Sequence, residues 1–291
     1  MKAPRRIGVR TVATILGLRC AWRVGSYLAP QRTAAHAARI FQTPLPSTRT
    51  RAAYAQTKMT ARRETVRVGD QDIATYVWGD PSTQPYVLLV HGWSSMGLRW
   101  ESWAPFLLEK GWAAVAFDQP AHGHSDGDLC TLPDFMRALS GVARHYGDPL
   151  GVVAHSLGCA ATTIALDDGW TAKRVVLIAP PADPQAVTRQ FARFMRLAEH
   201  LRPSMHDALA ARTGYAIDDL HIRHHAPLRT QPLLVVHDCF DKQVPLEHGE
   251  LYAKLWPGAT LLKTRRLGHR KVVDDECVRT AALVFLSGTD L

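Results

Sequence analysis

Ala154-His155-Ser156-Leu157-Gly158 lies between an apolar run of strand length, Leu150–Ala154, and a helical pattern, Leu157–Leu166. A strand that turns sharply into a helix pushes the residue at the turn outward, and small neighbours are required because other backbone passes close to it. The usual pattern is G-x-S-x-G; here its first glycine is Ala154, one methyl group larger. Ser156 is therefore a candidate nucleophile, the plainer alternative being a serine that caps the following helix.

Outward from this turn the chain alternates. Apolar runs of buried-strand length occur at Tyr86–Val90 and Trp112–Phe117 before it, and at Arg174–Ile178, Leu233–Val236 and Thr260–Leu262 after it. Helical patterns over Leu98–Lys110, Leu132–Tyr146, Leu246–Leu255 and Val272–Leu286 separate most of them. Two short alternating strands, Thr65–Val68 and Asp72–Trp78, open the series across a hairpin-like turn at Gly69-Asp70. Strands alternating with helices predict an α/β architecture: a mostly parallel, eight-stranded sheet with helices on both faces. Residues 180–231 break the rhythm with helical stretches and no strand, which predicts a small helical lid outside the sheet. The expected organisation is a basic, largely helical extension and linker over 1–63, a core in two parts (64–179 and 232–291), and the lid over 180–231.

At 46% hydrophobic and 21% charged, the 291 residues have ordinary globular composition, which excludes a disordered or collagen-like chain. No run of eighteen apolar residues exists, so no spanning helix is expected. There is no Asn, which excludes N-linked glycosylation and a Cys/His pair oriented by Asn. The five cysteines are scattered without a C-x-x-C pair, which fits a reducing, cytoplasmic compartment.

The net charge of +9 is unevenly spread. Residues 1–63 hold thirteen Lys and Arg and no acid; Glu64 is the first. The remaining 22 of 35 bases face all 26 acids, so the body is mildly acidic and no nucleic-acid partner is expected. The extension reads as two helices, Val9–Leu28 and, after Pro30, Gln31–Phe41. Thr11–Leu18 is apolar behind a basic start, but Arg19 and Arg23 follow at once, against a cleaved signal peptide. Both arginines share a wheel face with Val12 and Leu16, so the apolar stripe reads as broken. Thr43–Thr60, with two prolines, reads as a linker. The excess of base predicts weak, salt-sensitive contact of residues 1–63 with an anionic membrane surface, peripheral on its inner face; helices packed on the body are the equal alternative.

Polar clusters sit at the carboxyl ends of the parallel strands, where sites in open α/β sheets form. They are His91-Gly92-Trp93, the turn Asp118–Ser125, His237–Pro245, and Leu267-Gly268-His269. Together with the turn at Ser156 they resemble, in the right order from Thr65 to the end of the chain, the α/β-hydrolase superfamily, esterase and lipase branch. There are two departures, Ala154 at the elbow and Ala121 where the family commonly has glycine, each one methyl group larger.

The resemblance implies a triad in the order Ser156, Asp241, His269, with Ser156 as nucleophile, His269 as base then acid, and Asp241 orienting the imidazole. It implies an oxyanion hole from the backbone N–H groups of Leu157 and Trp93. Asp238 is the rival acid, but Asp241 stands three residues before Val244-Pro245, as the family's acid does. No cofactor is implied. The function expected is hydrolysis of a carboxylic ester through an acyl-enzyme; a thioesterase, a C–C bond hydrolase or an acyltransferase could run on the same triad, and a non-catalytic ligand-binding protein is the alternative of another class.

Weaker features remain. Trp93, Trp100 and Trp103 fit helix core or pocket lining equally. His221, His224 and His225 have some ligand-like spacing, though a polar face of the insertion is the simpler reading. Neither G-x-G-x-x-G nor a phosphate loop is present, so no nucleotide role is supported. In the insertion Val187, Phe191, Phe194, Met195, Ala198 and Leu201 recur at helical spacing, and a second helix should open at Ser204 and stop near Gly214. The stripe, Phe191, Phe194 and Met195 above all, is expected to wall a site for a short-to-medium apolar acyl group.

Overall fold

The computed structural model describes residues 9–55, 59, 61–166 and 168–288. It divides into two compact units, one of Met1–Gln42 with Pro184–Asp219, the other of Thr43–Asp183 with Leu220–Leu291.

The larger unit is built on one eight-stranded sheet. Its strands are β1 (Arg62–Val68), β2 (Gln71–Trp78), β3 (Tyr86–Val90), β4 (Ala113–Phe117), β5 (Gly151–His155), β6 (Arg174–Ile178), β7 (Leu233–Asp238) and β8 (Thr260–Thr264). They lie in the order 1-2-4-3-5-6-7-8, antiparallel from β1 to β2 and from β2 to β4, parallel elsewhere. This is the α/β-hydrolase fold that the sequence resembles. Successive side chains of the central strands go to opposite faces, as the pleat requires. Leu88, Val90, Val152, Ala154, Val175 and Leu177 join one core cluster, with helices Leu132–Tyr146 and Leu157–Ala165. Val87, Leu89, Val153, Val176 and Ile178 join the other, with helix Glu276–Leu286. Both faces are covered, which is why these strands read as unbroken apolar runs.

Local chemistry sets several boundaries. Thr131 and Asp134 form a capping box that opens the Leu132–Tyr146 helix. The expected helix over Leu98–Lys110 is instead a 3₁₀ segment, Gly97–Trp103, followed by an α-helix, Ala104–Glu109, because Pro105 has no N–H to carry the ladder across. The expected helix from Val272 is also interrupted. A short turn, Gly268–Lys271, precedes it, and the Asp275 carboxylate accepts the Val278 N–H (3.2 Å), so the long helix starts at Glu276. The expected linker is not bare either: Ser47–Ala53 is helical, Leu45 N–H donates to Ser94 Oγ (3.1 Å), and Arg51 donates to the Ser94 carbonyl (2.8 Å).

In the smaller unit, helices Val9–Leu28 and Pro30–Phe41 pack with the insertion's Pro184–Met195 and Arg202–Thr213. Trp22, Ala34, Ala37, Ala38, Met195 and Met205 form its core. Extension and insertion are thus one body rather than two separate elements, and residues 220–231 belong with the sheet. The second insertion helix starts at Arg202, not Ser204, with Pro203 in its first turn, and ends at Gly214 in the left-handed conformation (φ +80°). Among the described residues no helix is long and apolar enough to cross a membrane.

Four buried histidines hold the loops at the carboxyl ends of the strands. His91 donates from Nδ1 to the Gly92 carbonyl (2.7 Å) and accepts the Gln119 N–H at Nε2 (3.0 Å). His122 donates to the Pro120 carbonyl (2.8 Å) and accepts the Ser94 N–H (3.0 Å). His155 donates to the His269 carbonyl (2.8 Å), and His237 to the Val244 carbonyl (2.9 Å). A ring that both donates and accepts is neutral. Burial drives His91 down to about 4 and His122 to about 3, and lowers His155 and His237 as well.

Below pH 6.5 the unfolded chain protonates at these positions while the native state does not. Each depressed histidine therefore removes up to about 1.4 kcal/mol of stability per pH unit as pH falls from 6.5 toward its folded value. The melting temperature should fall between pH 7.5 and pH 5, and His122→Gln, although less stable at pH 7.5, should show a smaller fall. A wild-type melting temperature that is flat over this range would show that these imidazoles are not held neutral.

Candidate active site

Ser156 sits between β5 and helix Leu157–Ala165 at φ +54°, ψ −127°, a conformation that a side chain makes costly. Its N–H donates to the Ile178 carbonyl (3.0 Å), and its carbonyl accepts the Cys159 N–H (2.8 Å). The neighbouring glycines are dictated by space. A Cβ on Gly158 would stand 2.7 Å from the His91 carbonyl oxygen, and one on Gly92 would stand 2.7 Å from Ser156 Cβ. Each glycine thus clears the backbone that presents the other motif. Ala154, the departure from the usual first glycine, is fully buried in the sheet and is accommodated there. The second departure, Ala121, carries positive φ (+62°) in the turn after β4. That turn is held by Asp118, whose carboxylate accepts the Gly97 N–H (2.7 Å), the His124 N–H (2.8 Å) and the Tyr76 hydroxyl (2.7 Å). Ser125, also buried in this turn, donates to the Asp118 carbonyl (2.6 Å).

Two loops deliver partners to Ser156. His269, after β8, places Nε2 3.0 Å from Ser156 Oγ and Nδ1 2.7 Å from Asp241 Oδ2, after β7. The other Asp241 oxygen accepts the N–H groups of Gln243 (2.8 Å) and Val244 (3.0 Å). Burial alone would raise the Asp241 carboxyl, but the hydrogen bonds from His269 and these two amides bring it below the ordinary carboxylate range. With Asp241 ionised the His269 proton belongs on Nδ1, which leaves Nε2 free to accept from Ser156.

Asp238 does a different job. Its carboxylate accepts the Phe240 N–H (2.9 Å), the Thr264 hydroxyl (2.9 Å) and the Leu267 N–H (3.0 Å). It ties the loop that carries Asp241 to the loop that carries His269. Asp238 is thus a tether between loops where the sequence offers it as a rival acid; the tethering roles of Asp238, His155 and His237 are signalled in the sequence only by their positions at the ends of β5 and β7.

Beside Ser156 two backbone donors are available. Leu157 opens its helix, so no carbonyl four residues earlier in the helix accepts its N–H. Trp93 follows Gly92, the residue packed against Ser156. Neither N–H has an acceptor among the described residues. The Trp93 ring stacks on Phe135 (centroids 6.3 Å apart), while Trp100 and Trp103 are fully buried in the core. These two tryptophans are core, and not the lining of a pocket. His221 accepts the Arg223 N–H at the start of a 3₁₀ turn, and among the described residues no group of three or more metal-ligating side chains forms.

The insertion stripe meets an unexpected partner. Phe191 packs edge-on against Trp22 (6.1 Å) and Phe41 (5.1 Å), and Met195 is buried in the same cluster. Phe194 is exposed, with the Arg19 guanidinium 4.6 Å above its ring. Within the smaller unit, then, the stripe of Phe191 and Met195 is met by the helices of the extension: an apolar stripe must be covered, and these helices cover it.

A model of the alpha/beta hydrolase family matches residues 87–282. A pimeloyl-[acyl-carrier protein] methyl ester esterase from Methylococcus capsulatus is 26% identical over 229 residues, 66% of this chain and 86% of that one. Among solved structures, an esterase from Exiguobacterium antarcticum covers 78% of this chain and 100% of its own, at 15% identity and a TM-score of 0.60. A bromoperoxidase from Bacillus anthracis covers the same shares at 17% identity and a TM-score of 0.62. A strained serine between strand and helix, its Gly92 and Gly158 neighbours and the family match over most of the sheet agree: the chain belongs to the alpha/beta hydrolase family.

Proposed function

We propose that the protein is a serine hydrolase that cleaves carboxylic esters without a cofactor. The observation that carries this reading is the chain of hydrogen bonds from Asp241 through His269 to Ser156 Oγ, 2.7 and 3.0 Å long. Ester hydrolysis as such is the activity of the esterases in the comparisons; the residue roles are this proposal's.

Ser156 Oγ attacks the ester carbonyl as its proton passes to His269 Nε2. Asp241 stabilises the imidazolium and keeps its own charge throughout. The carbonyl oxygen, now an alkoxide, accepts from the Leu157 and Trp93 N–H groups; losing one such donor typically costs about 10²–10³ in turnover. The intermediate collapses, the C–O bond to the alcohol breaks, and His269 protonates the departing oxygen. Water then attacks the acyl-enzyme with His269 as base, releasing the acid and free Ser156.

The acyl group is apolar and short to medium in length. By its name, the relative from Methylococcus capsulatus acts on the methyl ester of a carrier-bound pimeloyl group. Each methylene buried on the acyl side would contribute ~0.8 kcal/mol.

Three measurements test the reading. A fluorophosphonate probe should label Ser156; a ligand-binding protein would show no adduct. Ser156→Ala and His269→Ala should each abolish turnover, with the double variant no worse than either alone, because the residues act as a unit. Substantial hydrolysis by Ser156→Ala would overturn the assignment.

For the acid, Asp241→Asn should cost on the order of 10⁴ in kcat through the wrong imidazole tautomer. Asp238→Asn should cost far less activity and act mainly on the melting temperature; the reverse order would exchange their roles. Across activated esters that differ only in the acyl chain, kcat/KM should rise from acetyl through butyryl and hexanoyl. A steady fall from acetyl upward would sink the acyl preference.

A further inference from the structure

The smaller unit carries the whole charge excess of the protein. Residues 1–42 and 184–219 contain 13 Lys and Arg against 4 Asp and Glu, whereas the rest of the chain contains 22 of each. The helices Val9–Leu28 and Pro30–Phe41 contain no acid at all.

On the same unit the first helix is apolar on two opposite sides. Its inner side sets Ile15, Leu18 and Trp22 against the unit's core. Its outer side carries Leu16, Val24 and Leu28 at steps of four or eight residues, with Tyr27 beside them, so they lie in one file. They are 52%, 57%, 80% and 76% exposed, respectively. Arg19 and Arg23, on the wheel face of Leu16, stand beside this file rather than within it. Arg19 turns to the ring of Phe194, itself 56% exposed, and Arg23 is exposed in the neighbouring row of Arg19 and Tyr27, at steps of four residues. The helix thus presents an apolar file edged by guanidinium groups. This matches a surface that is apolar below and anionic above, which is the interface of an anionic bilayer.

We infer that the unit formed by the extension and the insertion docks on anionic membranes, with the Val9–Leu28 helix lying in the interface plane. Leu16, Val24, Tyr27 and Leu28 enter the acyl boundary, and Arg19 and Arg23 meet the lipid phosphates. A neutral bilayer offers the apolar half of this match only. An acidic protein offers the charge, with no need for the file. The inference is independent of the proposed hydrolysis.

The test is co-sedimentation of the full chain with phosphatidylcholine vesicles and with equimolar phosphatidylcholine–phosphatidylglycerol vesicles. The protein should bind only the latter, and should be released as salt rises to about 1 M. Arg23→Gln should weaken binding roughly fivefold. The triple variant Leu16→Gln, Val24→Gln, Leu28→Gln should weaken it at least about tenfold. Equal binding to both vesicles, or full binding by the triple variant, overturns the inference. So does a lipid-free dimer that the triple variant abolishes, since the file would then cover a second copy. Should the triple variant lose helical signal, hydrogen exchange on the wild-type protein reads the same surface. Residues 13–28 should slow on anionic vesicles more than residues 30–41, and equal slowing overturns the inference.

Discussion

The backbone at Ser156 is the constraint on which the site depends. A serine at φ +54° costs about 1–3 kcal/mol, and it persists only because the surroundings leave no other path. β5 arrives fully buried and paired on both sides, and the helix must start at Leu157 for its small residues to pack under the sheet. Between these fixed elements a single residue makes the turn. Relaxing Ser156 to an ordinary conformation would move either the helix or the strand, and each is locked into the same core cluster. The strain is thus offset by packing, and its consequence is a hydroxyl held out from the sheet toward His269.

Holding that hydroxyl is useful only if three separate loops meet it. The loops after β3, β7 and β8 have no sheet ladder to define them, so side chains supply the order. Asp238 bridges two of the loops through one carboxylate. His237 and His155 fix the Val244 and His269 carbonyls, and His91 fixes that of Gly92. Neutral imidazoles suit this task, since one ring offers a donor and an acceptor on opposite edges. A charge at these buried positions would cost far more than the hydrogen bonds return. Nδ1 of His155 and of His237 has no partner among the described residues, a further reason for these rings to stay uncharged.

Much of this was legible in the sequence, for reasons that are local. Tyr86–Val90, Leu132–Tyr146 and Leu246–Leu255 emerge with the bounds that periodicity predicts, because capping and burial are written into the residues themselves. Ser156, Asp241 and His269 were legible as residue types at strand ends, and the structure brings all three together. What periodicity missed has a common form. Pro105 and Asp275 interrupt patterns that remain apolar at helical spacing on either side. The apolar stripe of Phe191 and Met195 shows that something must cover it, yet spacing carries no information about what does.

The identity of that cover changes how the rest of the chain is understood. Read along the chain, the helices of the extension and of the insertion lie more than 140 residues apart, from Phe41 to Pro184, and raise different questions, one of charge and one of substrate. In the structure Trp22 and Phe41 meet Phe191, and the two segments share one core. The Ala34, Ala37 and Ala38 file, too small to signal a buried face by hydrophobicity, is what allows close helix packing there. Once the inner side of the Val9–Leu28 helix is engaged in that core, its remaining apolar residues cannot be explained by folding. A helix that needed only to fold would carry polar residues on the outer side, as the Pro30–Phe41 helix does with Gln31, Arg32 and Arg39. The exposed file of Leu16, Val24 and Leu28 thus needs a cause outside the fold, and the charge gathered on the same unit indicates its kind.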